Sequence, residues 1–442
     1  MIKFKWETEF KQTEIGEVPG EWEAKSIGQI TKKAIVGSTP LRRIKEYWEK
    51  GTIPWLTNKE VQYDQINFIE DTKEKITPHA LKRTNLELIP PFSLIVSFTA
   101  SVGKVVINKI PITTNQQFIS FILNDNEDVK FYAYYLLLSQ ELIESFSGAT
   151  PFSFITKEKA LQIPIPLPPP SEQSRIATVL SWFDDLIENK KRHNKILEKT
   201  AMAIFKSWFV DFEPFKDEEF VYSEELGKEI PMGWEVKPIG EVAEFYKGIS
   251  YKGSEKFYSK TGSEKELVFI TLDNILRGGG FKINYTWIIS ERIKKHQLLR
   301  EIDLIIANTD MTQEAKVIGS PAIVTFPIDY YKECGVYSHH ITKIIPRDKI
   351  YRLYLYVFLK LTQDENTTFS TGTNVLGLDI ENFKRNKFVL LPPRDLLEKF
   401  HSLVEPLFQK IILNQKQIIV LRKIRDALLP KLVFGKLRVE EI

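Results

Sequence analysis

The sequence predicts an α+β fold built from two copies of one globular domain, each copy followed by a long amphipathic helix, with the two helices paired. Three observations carry this expectation. An internal repeat spans about half the chain, a proline-rich stop and an apolar seam close each copy, and short β-rich runs mix with helical patches inside each copy.

The repeat sets the architecture. Glu17-Val18-Pro19-Gly20-Glu21-Trp22-Glu23, followed by Ile27-Gly28, returns as Glu229-Ile230-Pro231-Met232-Gly233-Trp234-Glu235, followed by Ile239-Gly240. Further matches keep their order: Trp55-Leu56-Thr57 with Phe269-Ile270-Thr271, Leu94-Ile95-Val96 with Leu304-Ile305-Ile306, Ser147-Gly148 with Thr371-Gly372, and Leu167-Pro168-Pro169 with Leu391-Pro392-Pro393. The offset grows along the copy, from roughly 210 to roughly 220 residues, so the second copy carries loop insertions; the unit is far longer than a solenoid repeat.

Each copy closes in the same way. Pro164, Pro166, Pro168, Pro169 and Pro170 end the first as a linker, and Ser171-Glu172-Gln173 then offers a helix N-cap with acidic character in the first turn. Ile176, Phe183, Leu197 and Ile204 fall on a seven-residue spacing around Lys190, and Leu180, Ile187, Ala201 and Trp208 do so around Asn194. In the second copy Phe400, Leu407, Asn414, Leu421 and Leu428 keep that spacing, with Val404, Ile411 and Ile418 beside them. A single helix of this kind normally packs on its own domain. Two such seams, each long, each with an amide at its centre and each at the same place in a repeat, predict helix-to-helix pairing.

Inside the copies, residues 93–98 and 118–122 read as strands between Gly, Pro and Asn turns, and residues 131–146 and 350–361 read as helices. Regular strand-helix alternation is missing, hence α+β rather than α/β. At 442 residues, with 43% hydrophobic and 27% charged residues, the chain suits a globular protein of two or three domains. Charges at Lys3, Lys5 and Glu7 stand where a signal peptide needs an apolar stretch, and no run reaches membrane-spanning length, so a cytoplasmic protein without a membrane partner is expected. Cys334 is the only cysteine, which rules out an internal disulfide. The net charge of +3, from 61 basic and 58 acidic residues, does not by itself point to nucleic acid; a binding face has to come from local clustering.

Catalytic motifs are sparse. The Pro-Pro pairs follow leucine rather than Asn or Asp and precede no aromatic, unlike an adenine methyltransferase motif, and Gly278-Gly279-Gly280 lacks the strand-turn-helix context of a nucleotide loop. Asp303 with Glu314-Ala315-Lys316 matches a nuclease pattern that could bind magnesium, but it is short and the first copy has no acidic residue at the corresponding stretch. Cys334 with His339-His340 is a weak metal set, so no metal site is expected. Nucleic-acid contact has better candidates in loops. Ser38, Thr39, Arg42, Arg43, Lys45 and Tyr47 combine hydroxyls, cations and an aromatic after Gly37, and Tyr246, Lys247, Ser250, Tyr251 and Lys252 form the counterpart around Gly248. Hydroxyls and backbone amides can position on phosphates while arginine can read guanine edges.

Taken in order, these motifs resemble the type I restriction-modification specificity subunits over nearly the whole chain. The marks are Pro19 to Trp22 and Pro231 to Trp234, the Gly37-Ser38-Thr39-Pro40 loop with Tyr47-Trp48, and Ile53-Pro54-Trp55-Leu56-Thr57. With them stand Ile163-Pro164-Ile165-Pro166-Leu167-Pro168-Pro169-Pro170-Ser171-Glu172-Gln173 and the ending Leu428-Leu429-Pro430-Lys431-Leu432-Val433-Phe434-Gly435-Lys436-Leu437. Phe205-Lys206-Ser207-Trp208-Phe209-Val210-Asp211-Phe212-Glu213-Pro214-Phe215 is similar to the segment after the first long helix in that family.

The resemblance implies a non-catalytic subunit of a bacterial defence system that binds double-stranded DNA. Two target-recognition domains (1–170 and 211–393) would each read half of a bipartite site, and two antiparallel helices (171–210 and 394–442) would act as the ruler between them. Two methyltransferase subunits would dock, with Trp208, Phe209, Phe212 and Phe215 as candidate contacts, and motor-nuclease subunits could join. S-adenosylmethionine, ATP and magnesium would belong to those partners and no cofactor to this chain. Candidate DNA contacts extend to Lys59, Ser101, Lys104, Gln116, Gln117 and Thr150 in the first copy. In the second they extend to Asn308, Thr309, Gln313, Lys316, His339, His340, Thr373 and Asn374. Ile176, Phe183, Ile187, Asn194, Leu197 and Ile204 would pair with Phe400, Leu407, Ile411, Asn414, Leu421 and Leu428. Two departures stand out: Asp395-Leu396-Leu397 where the first copy has Ser171-Glu172-Gln173, and an expanded stretch at 308–316. The alternatives are a stand-alone duplicated DNA-binding protein or nuclease, and a scaffold without a DNA role.

Overall fold

The computed structural model describes all residues except 1, 64, 100–101, 147–153, 311–316 and 373–375. It divides into two compact units: Met1–Leu186 with Arg422–Ile442, and Ile187–Leu421. Four helices organise them: α1 (Val129–Leu138), α2 (Pro170–Phe209), α3 (Tyr351–Leu361) and α4 (Arg394–Val433). The α+β class, the duplication and the antiparallel pairing of the long helices are as the sequence predicts.

In the first unit, Thr31–Val36, Phe118–Leu123, Leu94–Ser97, Val105–Asn108 and Ile66–Ile69 form a five-stranded sheet in that order. All neighbours are antiparallel except the last pair, which is parallel. Alternate residues face opposite sides of a strand, and here both sides are covered, which is why the strands read as unbroken apolar runs. Leu94, Val96, Val105 and Phe121 pack with Phe131 and Tyr132 of α1, while Ile95 and Val106 pack with Leu56, Val61 and Ile112. Helix α1 begins where the Asp128 carboxylate accepts from the amides of Lys130 and Phe131, an N-cap that fixes its start.

The proline segment taken from the sequence as a linker is in fact a strand: Pro164–Leu167 pairs antiparallel with Glu23–Ser26. Prolines at alternate positions, 164 and 166, place both missing donors along one edge, and a two-stranded ladder tolerates that. The second unit repeats the device with Phe388–Leu391 against Glu235–Pro238.

Its main sheet runs Ala243–Lys247, Ile341–Pro346, Leu304–Ala307 and Pro321–Ile323, all antiparallel, in the order of the first four strands of the other unit. Helix α3 covers it with Tyr354 and Tyr356, and the Tyr354 hydroxyl donates to the Leu390 carbonyl.

The long helices pair within each unit. In the first, Ile176, Ala177 and Leu180 of α2 share a core with Leu429, Leu432 and Val433 of α4, and Arg425 bonds Asp184 at 2.6 Å. In the second, Asn414 Nδ2 donates to Asn194 Oδ1 at 2.8 Å and Lys190 Nζ to Gln417 Oε1 at 2.6 Å, so numbers rise on one helix as they fall on the other. Among the seam positions, Ile176, Ile187, Phe400 and Asn414 are buried, while Phe183, Asn194, Leu197, Ile204, Leu407, Ile411, Leu421 and Leu428 are half-buried. No helix among the described residues is long and apolar enough to cross a membrane.

The Pro-x-x-Trp opening and the Ser171-Glu172-Gln173 segment, far apart in sequence, turn out to be partners. Trp22 Nε1 donates to the nearly inaccessible Glu172 carboxylate at 3.0 Å, and Arg438, from the strand Leu437–Glu441 that pairs with Lys3–Trp6, closes on the same carboxylate and on Glu7. In the second unit Leu396 replaces Glu172, and Trp234 instead lies against the rings of Phe209, Phe212 and Phe215.

Candidate nucleic-acid interface

In each unit the first strand of the main sheet ends in a turn that only glycine can make. A Cβ on Gly37 would lie 2.0 Å from the Asn115 carbonyl oxygen, and one on Gly248 would lie 2.3 Å from that of Ser338. These close approaches seat each turn on a second one. The Gly37 and Ser38 amides donate to Phe118 and Thr114, and those of Gly248 and Ile249 donate to Ile341 and Tyr337. The second turn is tied in turn to two more segments by matched bonds. Asn115 N donates to Leu56 O at 3.1 Å as Ser338 N does to Ile270 O at 3.0 Å, and Phe98 N donates to Gln117 O at 2.8 Å as Asn308 N does to His340 O at 2.8 Å. Beyond Leu56 and Ile270 the chain makes the same short turn, closed by Thr57 with Glu60 and by Thr271 with Asn274.

Four separated segments therefore meet at one place in each unit, and most described candidates lie on them. In the first unit the turn bears Ser38 and Thr39, and the Thr39 hydroxyl bonds the Gln116 side-chain oxygen. Ser38 is anchored through its carbonyl, which accepts from Trp55 Nε1 at 3.0 Å. Arg43 and Lys59 are exposed and carry no ion pair among the described residues, whereas Lys45 stands 4.0 Å from Glu49. Arg42 stacks 3.9 Å from the Trp48 ring centroid and pairs with Glu74, beside Tyr47, whose ring faces His79. Gln117 is half-buried, its oxygen accepting from Asn115 Nδ2.

In the second unit the rings of His339 and His340 lie 3.9 Å apart, His340 Nδ1 meets Thr309 Oγ1 at 2.9 Å, and Tyr251 packs on Phe269 at 4.7 Å. Burial, helped by His339 and Lys247, holds the His340 imidazole below its usual pKa. Ser250, Lys247 and Lys252 are exposed, and Tyr246 bonds Glu244. Asn308 Oδ1, Ser338 Oγ and His339 Nδ1 are buried with no partner among the described residues. Ser101, Thr150, Gln313, Lys316, Thr373 and Asn374 lie outside the described residues.

Two expectations need correction. Lys104 is not a free cation: its ammonium donates to the carbonyls of Asn58 at 3.0 Å and Val61 at 2.8 Å, and burial lowers its pKa, so its charge supports the 57–61 turn. Phe209 and Phe212 are buried at 3% and 7% exposure within their own unit, so neither ring is available for docking; Trp208 and Phe215 are half-buried beside them.

Of the nuclease pattern, Asp303 accepts from the Arg300 amide and lies 3.9 Å from Lys343, while Glu314 and Lys316 fall outside the described residues. Gly278, Gly279 and Gly280 all have positive φ and form a turn closed by bonds to Leu276 and Pro321. Sequence reasoning missed that 115–117 and 338–340 are equivalent. No residue is identical between the two triplets, and the available signal was that each precedes a six-residue strand.

The family model described as "Type I restriction modification DNA specificity domain" matches twice, over residues 19–199 and 231–423. The MjaIX type I restriction enzyme specificity subunit of Methanocaldococcus jannaschii is 41% identical over 449 aligned residues, covering 100% of this chain and 99% of that protein. The MjaVIII specificity subunit of the same organism is 25% identical, again over 100% of this chain and 99% of that one. In fold, the chain is similar to the crystal structure of a type I restriction-modification S subunit from M. genitalium, with a TM-score of 0.53 at 18% identity over 93% of this chain and 96% of the other. With two DNA specificity domains matched and a full-length relative at this identity, the chain belongs to the specificity subunits of type I restriction enzymes.

Proposed function

We propose that each unit reads one half of a bipartite double-stranded DNA site through its four-segment cradle, and that the paired helices set the gap between the halves. The observation that carries this is the duplicated cradle itself: matched backbone bonds at Gly37 and Gly248 hold polar side chains at the same place in both units, Thr39 and Gln116 in the first and Ser250 and His339 in the second. Phosphate contacts position a protein and base-edge contacts specify the sequence; both kinds of group are present. The chain supplies recognition, while methyltransferase subunits, two per complex, and motor-nuclease subunits bring the methyl donor, ATP, magnesium and the chemistry, in the cytoplasm. The domains would run 1–170 and 211–393, with 171–210 and 394–442 as spacers.

The test is an exchange of residues 23–160 for the matching part of another specificity subunit, in the complex with its methyltransferase. Mapping of methylated sites should show one half-site changed and the other kept. Four residues inserted near Asn194 should lengthen the unread gap, since a helix rises about 1.5 Å per residue, with both half-site sequences unchanged. Simultaneous change of both half-sites on domain exchange would refute independent recognition. A stand-alone nuclease would cleave DNA as the purified chain with magnesium.

A further inference from the structure

We infer that one residue on the second turn of each cradle, Gln116 in the first unit and His339 in the second, is the position that selects the base read by that unit. This deepens the proposed recognition function and rests on it.

Around this turn the backbone bonds that tie it to its neighbours recur in both units, and the residue before it, Asn115 or Ser338, is buried in both, its amide tying the turn to the neighbouring strand. The residue after it is spent on support: the Gln117 oxygen accepts from Asn115, and His340 Nδ1 meets Thr309. Of the three described residues of this turn, the middle one is held by the scaffold through its backbone and not through a side-chain bond to a neighbouring strand, and there the two copies differ in hydrogen-bonding chemistry. A duplicated backbone with divergent chemistry at a presented position is the pattern expected of two domains that read different sequences.

The two side chains are also held for different partners. The Thr39 hydroxyl bonds Gln116 Oε1 and orients the amide, leaving its NH2 and the second oxygen lone pair side by side. That donor-acceptor pair matches the N7 and N6 groups of adenine in the major groove. His339 stacks on His340, and its Nδ1 is buried with no partner among the described residues. With Nδ1 enclosed, Nε2 is the ring nitrogen left to meet a base, and an N–H there suits an acceptor edge, the N7 and O6 of guanine.

The experiment uses the full chain assembled with its methyltransferase subunits. Duplexes retained from a random pool are sequenced for the wild type, Q116H, H339Q and the 23–160 exchange. H339Q should shift preference at one or two base pairs of a single half-site from guanine toward adenine, on the order of tenfold or more, leaving the other half-site and the gap unchanged. Q116H should do the converse in the other half-site. Base preferences within about twofold of wild type in both variants overturn the inference, and so does loss of all retention by a variant that melts like wild type, because phosphate contacts and the second half-site remain in place. If the domain exchange changes a half-site while H339Q and Q116H do not, only this inference fails. If the exchange changes nothing, the recognition function fails with it.

Discussion

Replacing Arg438 by methionine isolates the contact that holds the C-terminal strand on the first unit. Arg438 Nη2 donates to Glu172 at 2.6 Å and Nη1 to Glu7 at 2.6 Å, and the bonds to both carboxylates help hold its own pKa above the usual value. The two carboxylates fare differently when it is removed. Glu7 keeps the amides of Thr8 and Glu9, at 2.8 and 3.0 Å. Glu172, at 2% exposure, keeps only the Trp22 indole among the described residues. Removing one partner of a buried ion pair costs about 3–5 kcal/mol, because the other charge is left without compensation. In a unit of roughly 200 residues each kcal/mol moves the melting temperature by about 2–4 °C, so R438M should lower the transition of this unit by about 6–20 °C. E172Q/R438M removes the stranded charge and keeps an acceptor for Trp22, and should return most of that loss, to within about 1–2 kcal/mol. Calorimetry of the full chain gives the magnitude, and hydrogen exchange at Lys3–Trp6 and Leu437–Glu441 gives the location. A shift under about 2 °C for R438M, or a double variant no better than the single one, would refute this reasoning.

Three further outcomes follow from the cradle and the core. K104M should destabilise the first unit by about 1–3 kcal/mol, since two carbonyls lose their donor, yet leave the salt dependence of DNA binding unchanged; K59A should reduce the slope by about one phosphate contact, and salt titrations of binding separate the two. G248A forces a Cβ against the Ser338 carbonyl at 2.3 Å and should cost about 1–3 kcal/mol in the second unit alone; unchanged melting there would show that the turn yields freely. Burial pushes the Tyr135 hydroxyl up to about 12 from 10.0 and raises Tyr132, Tyr134, Tyr354 and Tyr356 further. A folded pKa raised in this way contributes stability that is whole below the unfolded value and is lost as pH climbs past it. Denaturant midpoints should therefore fall from about pH 10 upward, with the tyrosinate absorbance of these buried rings appearing together with unfolding.

Much of this molecule is legible in one dimension because its signals are periodic or repeated. The seven-residue seams located both long helices and put Asn194 and Asn414 at their centres, since a helix fixes which residues share a face. The Pro-x-x-Trp openings and the ordered matches disclosed the duplication, because equal local sequence makes equal local structure. The glycine loops at 37 and 248 were visible as turns with cations and hydroxyls nearby. What the sequence could not show were contacts between distant residues. That Trp22 and Glu172 are partners, that Arg438 joins them, and that Lys104 supports a turn instead of meeting solvent depend on burial, which has no local signature. The same holds for Pro164 and Pro166, which read as a linker until a partner strand at Glu23–Ser26 was in place. The equivalence of Gln116 with His339 was hidden for a sharper reason. Backbone hydrogen bonds hold this turn whatever its middle side chain, so a position free to differ in chemistry is one that sequence matching cannot align.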